Sequence, residues 1–160
     1  MLKLTKKADY GLIALKHLGV HNGRGAASAK DIADRYGIPQ PLLAKILQKM
    51  ARHGLVVSQH GTHGGYTLAR PPEKITALEV IRLMDGPVLL TSCSTSHGDC
   101  DHTDRCNVRE PLQRVHDSIL QLLDAITIAE LMKDKPEPKE ACCDGSSYVP
   151  APGGAVLQVL

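Results

Sequence analysis

Apolar residues recur at Leu4, Ala8, Leu12, Leu15 and Leu18, close to a helical period, and predict a first helix over residues 5–20. The run His21-Asn22-Gly23-Arg24-Gly25 breaks it. Ser28, with Asp31 three residues on, resembles a capping box and opens a short helix through Ile32 and Ala33 that stops at Gly37. Pro39 and Pro41 fit only the first turn of the helix that follows. That helix carries Leu42, Leu43, Ile46, Leu47 and Met50 on one face and ends at Gly54. Two short helices joined by a tight Gly-Ile turn have the spacing of a helix-turn-helix.

The period then changes from helical to alternating. Leu55-Val56-Val57-Ser58 reads as a strand, residues 60–65 as a glycine-rich turn and Tyr66-Thr67-Leu68 as the return strand. Glycines at 61, 64 and 65 permit positive backbone dihedrals at the hairpin tip. A hairpin placed directly after the second helix is the wing of a winged helix-turn-helix rather than a plain surface hairpin, because helix order and hairpin agree. Thr76 with Glu79 caps another short helix, which stops at Gly86-Pro87.

Asn107 with Glu110 predicts the start of a long helix, with Pro111 in its first turn. Val108, Leu112, Val115, Ile119, Leu122, Ile126 and Ala129 follow in alternating steps of four and three, a heptad seam. A small winged domain has little left to cover such a helix, so it is expected to pair with a second copy of the chain. The expected organisation is therefore mainly α: a winged domain over residues 1–86, a cysteine-bearing loop over 87–107, a dimerisation helix over 108–133 and a Pro- and Gly-rich disordered tail over 134–160.

Charge sharpens this picture. Residues 1–70 hold eleven Lys and Arg against three acids, while the remaining ninety hold eight against fourteen. A basic half joined to an acidic half fits one part meeting a polyanion. With no Trp, no Phe and four Tyr, the chain is poor in the rings on which proteins stack single-stranded bases. That leaves duplex DNA, read by the second helix in the major groove. Gln40 and Lys45 are candidates for base edges, Lys49 and Arg52 for phosphates, and His60, Thr62 and His63 at the wing tip for the minor groove or backbone. No apolar run approaches membrane-spanning length and residues 1–10 lack a signal-peptide pattern, so a cytoplasmic protein is expected.

Five cysteines without an export signal are a poor disulfide framework, and Cys93, Cys100 and Cys106 fall within fourteen residues. Six and five residues separate them, wider than the tight pairs of zinc knuckles. Loop-borne thiolates at this spacing suit an iron–sulfur cluster of two or four irons, and three inert thiols are the bland alternative. The helix N-terminus that follows favours thiolates and an anionic cluster. A fourth ligand stays open among His97, Asp99, Asp101, His102 and Asp104. No nucleophile is paired with a base in a recognisable motif, so an enzyme is not expected.

The opening LTKKADYGLIAL, the wing GTHGGYTLARP, the helix ITALEVIRLMDGP, the three-cysteine loop and the later ITIAEL resemble the Rrf-type winged-helix transcriptional regulators over about residues 1–133. The resemblance implies a homodimer with crossing long helices on a palindromic operator, and a cluster on Cys93, Cys100 and Cys106. The iron–sulfur-biogenesis branch places a histidine three residues after the third cysteine, where this chain has Arg109. In the nitric-oxide-sensing branch an aspartate of the partner's first helix completes the site, and Asp9 matches that position. The implied function is a cluster-sensing repressor of iron–sulfur assembly genes, with MDGP, LLTSC and ITIAEL favouring the Suf-type branch. The alternatives are a nitric-oxide-responsive repressor of the same fold, or a zinc- or thiol-based interaction module that also uses Cys142 and Cys143.

Overall fold

The computed structural model describes residues 3–61, 64–90 and 105–133. Three helices come first, α1 (Lys6–Val20), α2 (Ala29–Tyr36) and α3 (Gln40–Arg52), then the antiparallel strands β1 (Val56–Gln59) and β2 (Gly65–Leu68). A 3-10 turn at Pro72–Lys74 leads to α4 (Ala77–Asp85), and the chain resumes in α5 (Arg109–Ala125) and α6 (Ile128–Lys133). The expected disordered tail lies outside the described residues.

The predicted stops and starts act through identifiable atoms. Ser28 Oγ accepts from the Asp31 N–H at 3.1 Å, and Thr76 Oγ1 from the Glu79 N–H at 3.2 Å. Gly37 (φ 63°) and Gly54 (φ 70°) turn the chain in the left-handed region that ends α2 and α3. After α3 the N–H groups of Gly54 and Leu55 return to the carbonyls of Ala51 and Met50, with Leu55 and Met50 both buried over the turn. One packed core joins Leu15, Ile32, Leu43, Leu47, Met50, Leu55, Ile75 and Ile81. Each such side chain contributes about 2 kcal/mol by leaving water.

The hairpin pairs Val56 with Leu68 and Gln59 with Gly65. Ala27 adds a bridge to Tyr66, with reciprocal hydrogen bonds of 3.1 and 2.9 Å, so the wing is tied to the segment before α2. The wing glycines divide in their roles. Gly61 has φ 121°, but Gly64 and Gly65 have no positive φ; they serve close approach instead. A Cβ on Gly65 would stand 2.5 Å from the Ala27 carbonyl oxygen.

The long C-terminal helix differs from expectation. Its N-cap is Val108, with no side-chain cap from Asn107, and it ends at Ala125 rather than running on to residue 133. Ile126 is extended (ψ 111°), and Thr127 forms an antiparallel bridge with Thr76. The Ala77 N–H donates to the Ile126 carbonyl at 2.8 Å and the Ile128 N–H to the Ile75 carbonyl at 2.9 Å. Thr127 Oγ1 then caps α6 by accepting from the Glu130 N–H at 3.2 Å. These bonds stabilise two extended residues where heptad spacing alone would continue the helix. Residues 126–133 thus belong to the winged domain: Ile128 is fully buried in its core, and Met132 lies over Gly19 of α1.

Candidate nucleic-acid interface and metal-ligating residues

Helix α3 is held from behind by Leu43, Ile46, Leu47 and Met50, all buried. Its opposite side is open: Gln40, Pro41, Lys45, Gln48, Lys49 and Arg52 are all exposed. Pro41, Lys45, Gln48 and Arg52 stand four, three and four residues apart and form one stripe along the helix. The predicted Lys45 and Arg52 are therefore central, while Gln40 and Lys49 flank them. Gln48 was missing from the sequence-derived set, although a helical wheel anchored on the buried face finds it. No acid stands among the exposed side chains of α3, and Lys49 and Arg52 occupy its last turn. A face of this kind presents donors and positive charge without self-pairing, as base edges and phosphates require. His60, on the wing, is exposed. Thr62 and His63 lie outside the described residues.

Asp9 is exposed in the first turn of α1 and makes no side-chain hydrogen bond or ion pair among the described residues. The start of that helix is fixed from α4. Asp85 Oδ2 accepts from the Thr5 N–H at 3.0 Å, Asp85 Oδ1 accepts from the Thr5 hydroxyl, and the Asp9 N–H donates to the Thr5 carbonyl at 3.1 Å. Cys106 carries a free, half-buried thiol three residues before α5 begins. Cys93 and Cys100 lie outside the described residues. Among the described residues no three His, Cys, Asp or Glu side chains gather as a metal site, so one chain does not bring Asp9 and Cys106 together with a third described donor.

Helix α5 has two faces. Leu120 and Leu123 pack against the core and His116 is buried, a placement the sequence reading did not foresee. Val108, Val115 and Leu122, seven residues apart, are 51%, 47% and 63% exposed. These three seam positions are thus open to solvent, while Leu112 and Ile119 between them are half-buried. No described helix is long and apolar enough to cross a membrane.

Comparison with known proteins agrees with this architecture. Residues 4–134 match the family model described as "Rrf2: Iron-dependent Transcriptional regulator". The chain is similar to the HTH-type transcriptional regulator IscR of Sodalis glossinidius, 31% identical with 84% of this chain and 81% of the relative covered. It is equally similar to NsrR of Geobacillus kaustophilus, 31% identical with 84% and 92% covered. Among solved structures, CymR, the global cysteine regulator of B. subtilis, superposes with a TM-score of 0.72 at 31% identity, over 85% of this chain and all of that one. IscR of T. potens gives 0.67 at 32% identity, over 89% and 94%. The winged helix-turn-helix, the hairpin wing and these likenesses together place the chain in the Rrf2 family of DNA-binding transcriptional regulators.

Proposed function

We propose that this chain is a homodimeric, cytoplasmic repressor whose hold on its operator is set by an iron–sulfur cluster, and that it controls iron–sulfur assembly genes. The observation that carries the reading is the position of the cysteine segment. It joins α4 of the reading domain to α5, whose apolar seam is open for a second copy, and α5 returns to α4 through the Thr76–Thr127 bridge. Along the chain, the cysteines thus fall between the reading domain and the helix proposed for the dimer contact.

Two copies joined along α5 would present two α3 faces to a palindromic site. Lys45 and Gln48 would meet base edges, Arg52 and Lys49 the phosphates, and Gln40, His60, Thr62 and His63 the margins of the contact. The donor chemistry fits a cluster: Cys93, Cys100 and Cys106 offer three thiolates and Asp9 of the partner subunit a carboxylate, while the permanent cation Arg109 cannot ligate. Bound there, a cluster of two or four irons supplies a group that is lost or altered when iron, oxygen or nitric oxide changes. The chain's own part is mechanical. Thr5 and Asp85 fix the first turn of α1, on which Asp9 stands, so ligation from across the dimer would bias the spacing of the two reading heads. The names of both IscR and NsrR among the relatives support a cluster-dependent regulator without separating the assembly-gene signal from nitric oxide.

The test is anaerobic purification followed by an absorption spectrum and assays for iron, acid-labile sulfide and zinc. Iron and sulfide in near-equal amounts, falling on Asp9→Ala, are expected. Zinc without sulfide would replace this reading with a zinc or thiol module, and cluster content unchanged in Asp9→Ala would remove the cross-subunit ligand.

A further inference from the structure

Beside the exposed face of α3 lies a second, basic feature. Lys49 in the last turn of α3, His53 at its C-terminus and Arg82 in the last turn of α4 line an open hollow of about 470 Å³, together with Leu55, Leu83 and Glu79. Lys49 directly follows Gln48, and the hollow is shared with α4, so it borders the exposed stripe of α3 on its α4 side.

Its charge is less balanced than its composition implies. Glu79, the single acid of the lining, already accepts from Arg70 Nη2 at 2.6 Å. Lys49 and Arg82 make no side-chain hydrogen bond or ion pair among the described residues. His53 Nδ1 stands 2.9 Å from the Lys49 carbonyl oxygen, so that nitrogen is the donor and the ring is pinned beside the two cations. Two uncommitted cations from different helices thus flank one concavity.

A helix seated in the major groove, about 12 Å wide, has a sugar–phosphate strand along each flank. Phosphate contacts there set register without reading sequence. Guanidinium matches phosphate geometry with paired donors, and ammonium acts as a point charge. We propose that this hollow seats a backbone phosphate of duplex DNA, with Arg82 as the main contact and Lys49 beside it. Helix α4 is then part of the DNA interface. The proposal rests on the reading of α3 as the groove helix.

The experiment titrates the full-length protein with a fluorescent mixed-sequence duplex at a series of salt concentrations, comparing wild type, Arg82→Ala and Arg82→Lys. Losing one phosphate contact from each copy of a dimer lowers the slope of log affinity against log salt by about 1.8 and weakens binding roughly sixtyfold near 0.1 M salt. Arg82→Ala is expected to show both, with its thermal melt unchanged, and Arg82→Lys to keep most of the slope. Wild-type binding with an unaltered slope in Arg82→Ala overturns the phosphate seat alone. Wild type that fails to bind duplex at low salt overturns the reading of α3 itself. If inorganic phosphate raises the melting temperature of wild type but not of Arg82→Ala, while the DNA slopes agree, the hollow holds a free anion and the proposal falls.

Discussion

Gln48 stands between Lys45 and Arg52 on the exposed stripe of α3 and carries an amide that can pair with adenine through two hydrogen bonds. Replacing it by alanine should cost about 1–3 kcal/mol on the operator and leave affinity for random duplex nearly unchanged. Competition binding with the two duplexes checks this, and equal losses on both would make Gln48 a phosphate contact or a bystander. Backbone contacts give a second test at the same scale. On Gly65 a Cβ would meet the Ala27 backbone oxygen at 2.5 Å, whereas on Gly11 it would meet Met50 Cε at 2.8 Å, the far end of a flexible side chain. Gly65→Ala should therefore destabilise by about 1–3 kcal/mol through forced backbone movement, and Gly11→Ala by clearly less. Denaturant titration of both variants distinguishes them.

Two similar pentapeptides, Ile75-Thr76-Ala77-Leu78-Glu79 and Ile126-Thr127-Ile128-Ala129-Glu130, meet where α4 and α6 begin. Each threonine caps its own helix through the N–H of the glutamate three residues on, and the two threonines pair backbone to backbone. Thr76 Oγ1 also donates to Asp124 of α5 at 3.1 Å. Ile128, buried beneath this junction, should cost about 2–5 kcal/mol when cut to alanine, as measured by denaturant unfolding. A loss below about 2 kcal/mol, the lower end for emptying a packed site, would mean that α6 is an appendage and not part of the core. The junction also shows what sequence patterning reveals and hides. Helix starts at Ser28 and Thr76 and the turn at Gly37 were legible because capping is local, decided within four residues. The break at Ile126 was hidden under an uninterrupted heptad count, since its hydrogen bonds come from Ile75 and Ala77, some fifty residues away. The T-x-x-E at Thr127 was the one local sign of it. Arg82 and His53 were invisible for the same reason: their nearness to Lys49 is a product of helix packing.

For the whole molecule, the proposed pairing with a second copy rests on the exposed Val108, Val115 and Leu122. Leu122, 63% exposed in the single chain, should tolerate aspartate without loss of fold. Leu122→Asp is expected to yield a folded monomer by light scattering and to lose operator affinity by at least tenfold, because one reading head makes half the contacts. A variant that stays dimeric would place the interface elsewhere. With its basic first half, the chain is expected to lose affinity steeply with added salt as lysines and arginines displace counterions from duplex. Under the proposed function, occupancy of the cysteine segment sets DNA affinity. The most direct measurement selects an operator from genomic fragments and compares its affinity for anaerobically purified protein before and after removal of iron by a chelator. A change of about tenfold or more is expected, equivalent to roughly 1.4 kcal/mol of coupling between cysteine segment and reading head. Equal affinities of the two forms, with iron loss verified, would contradict it.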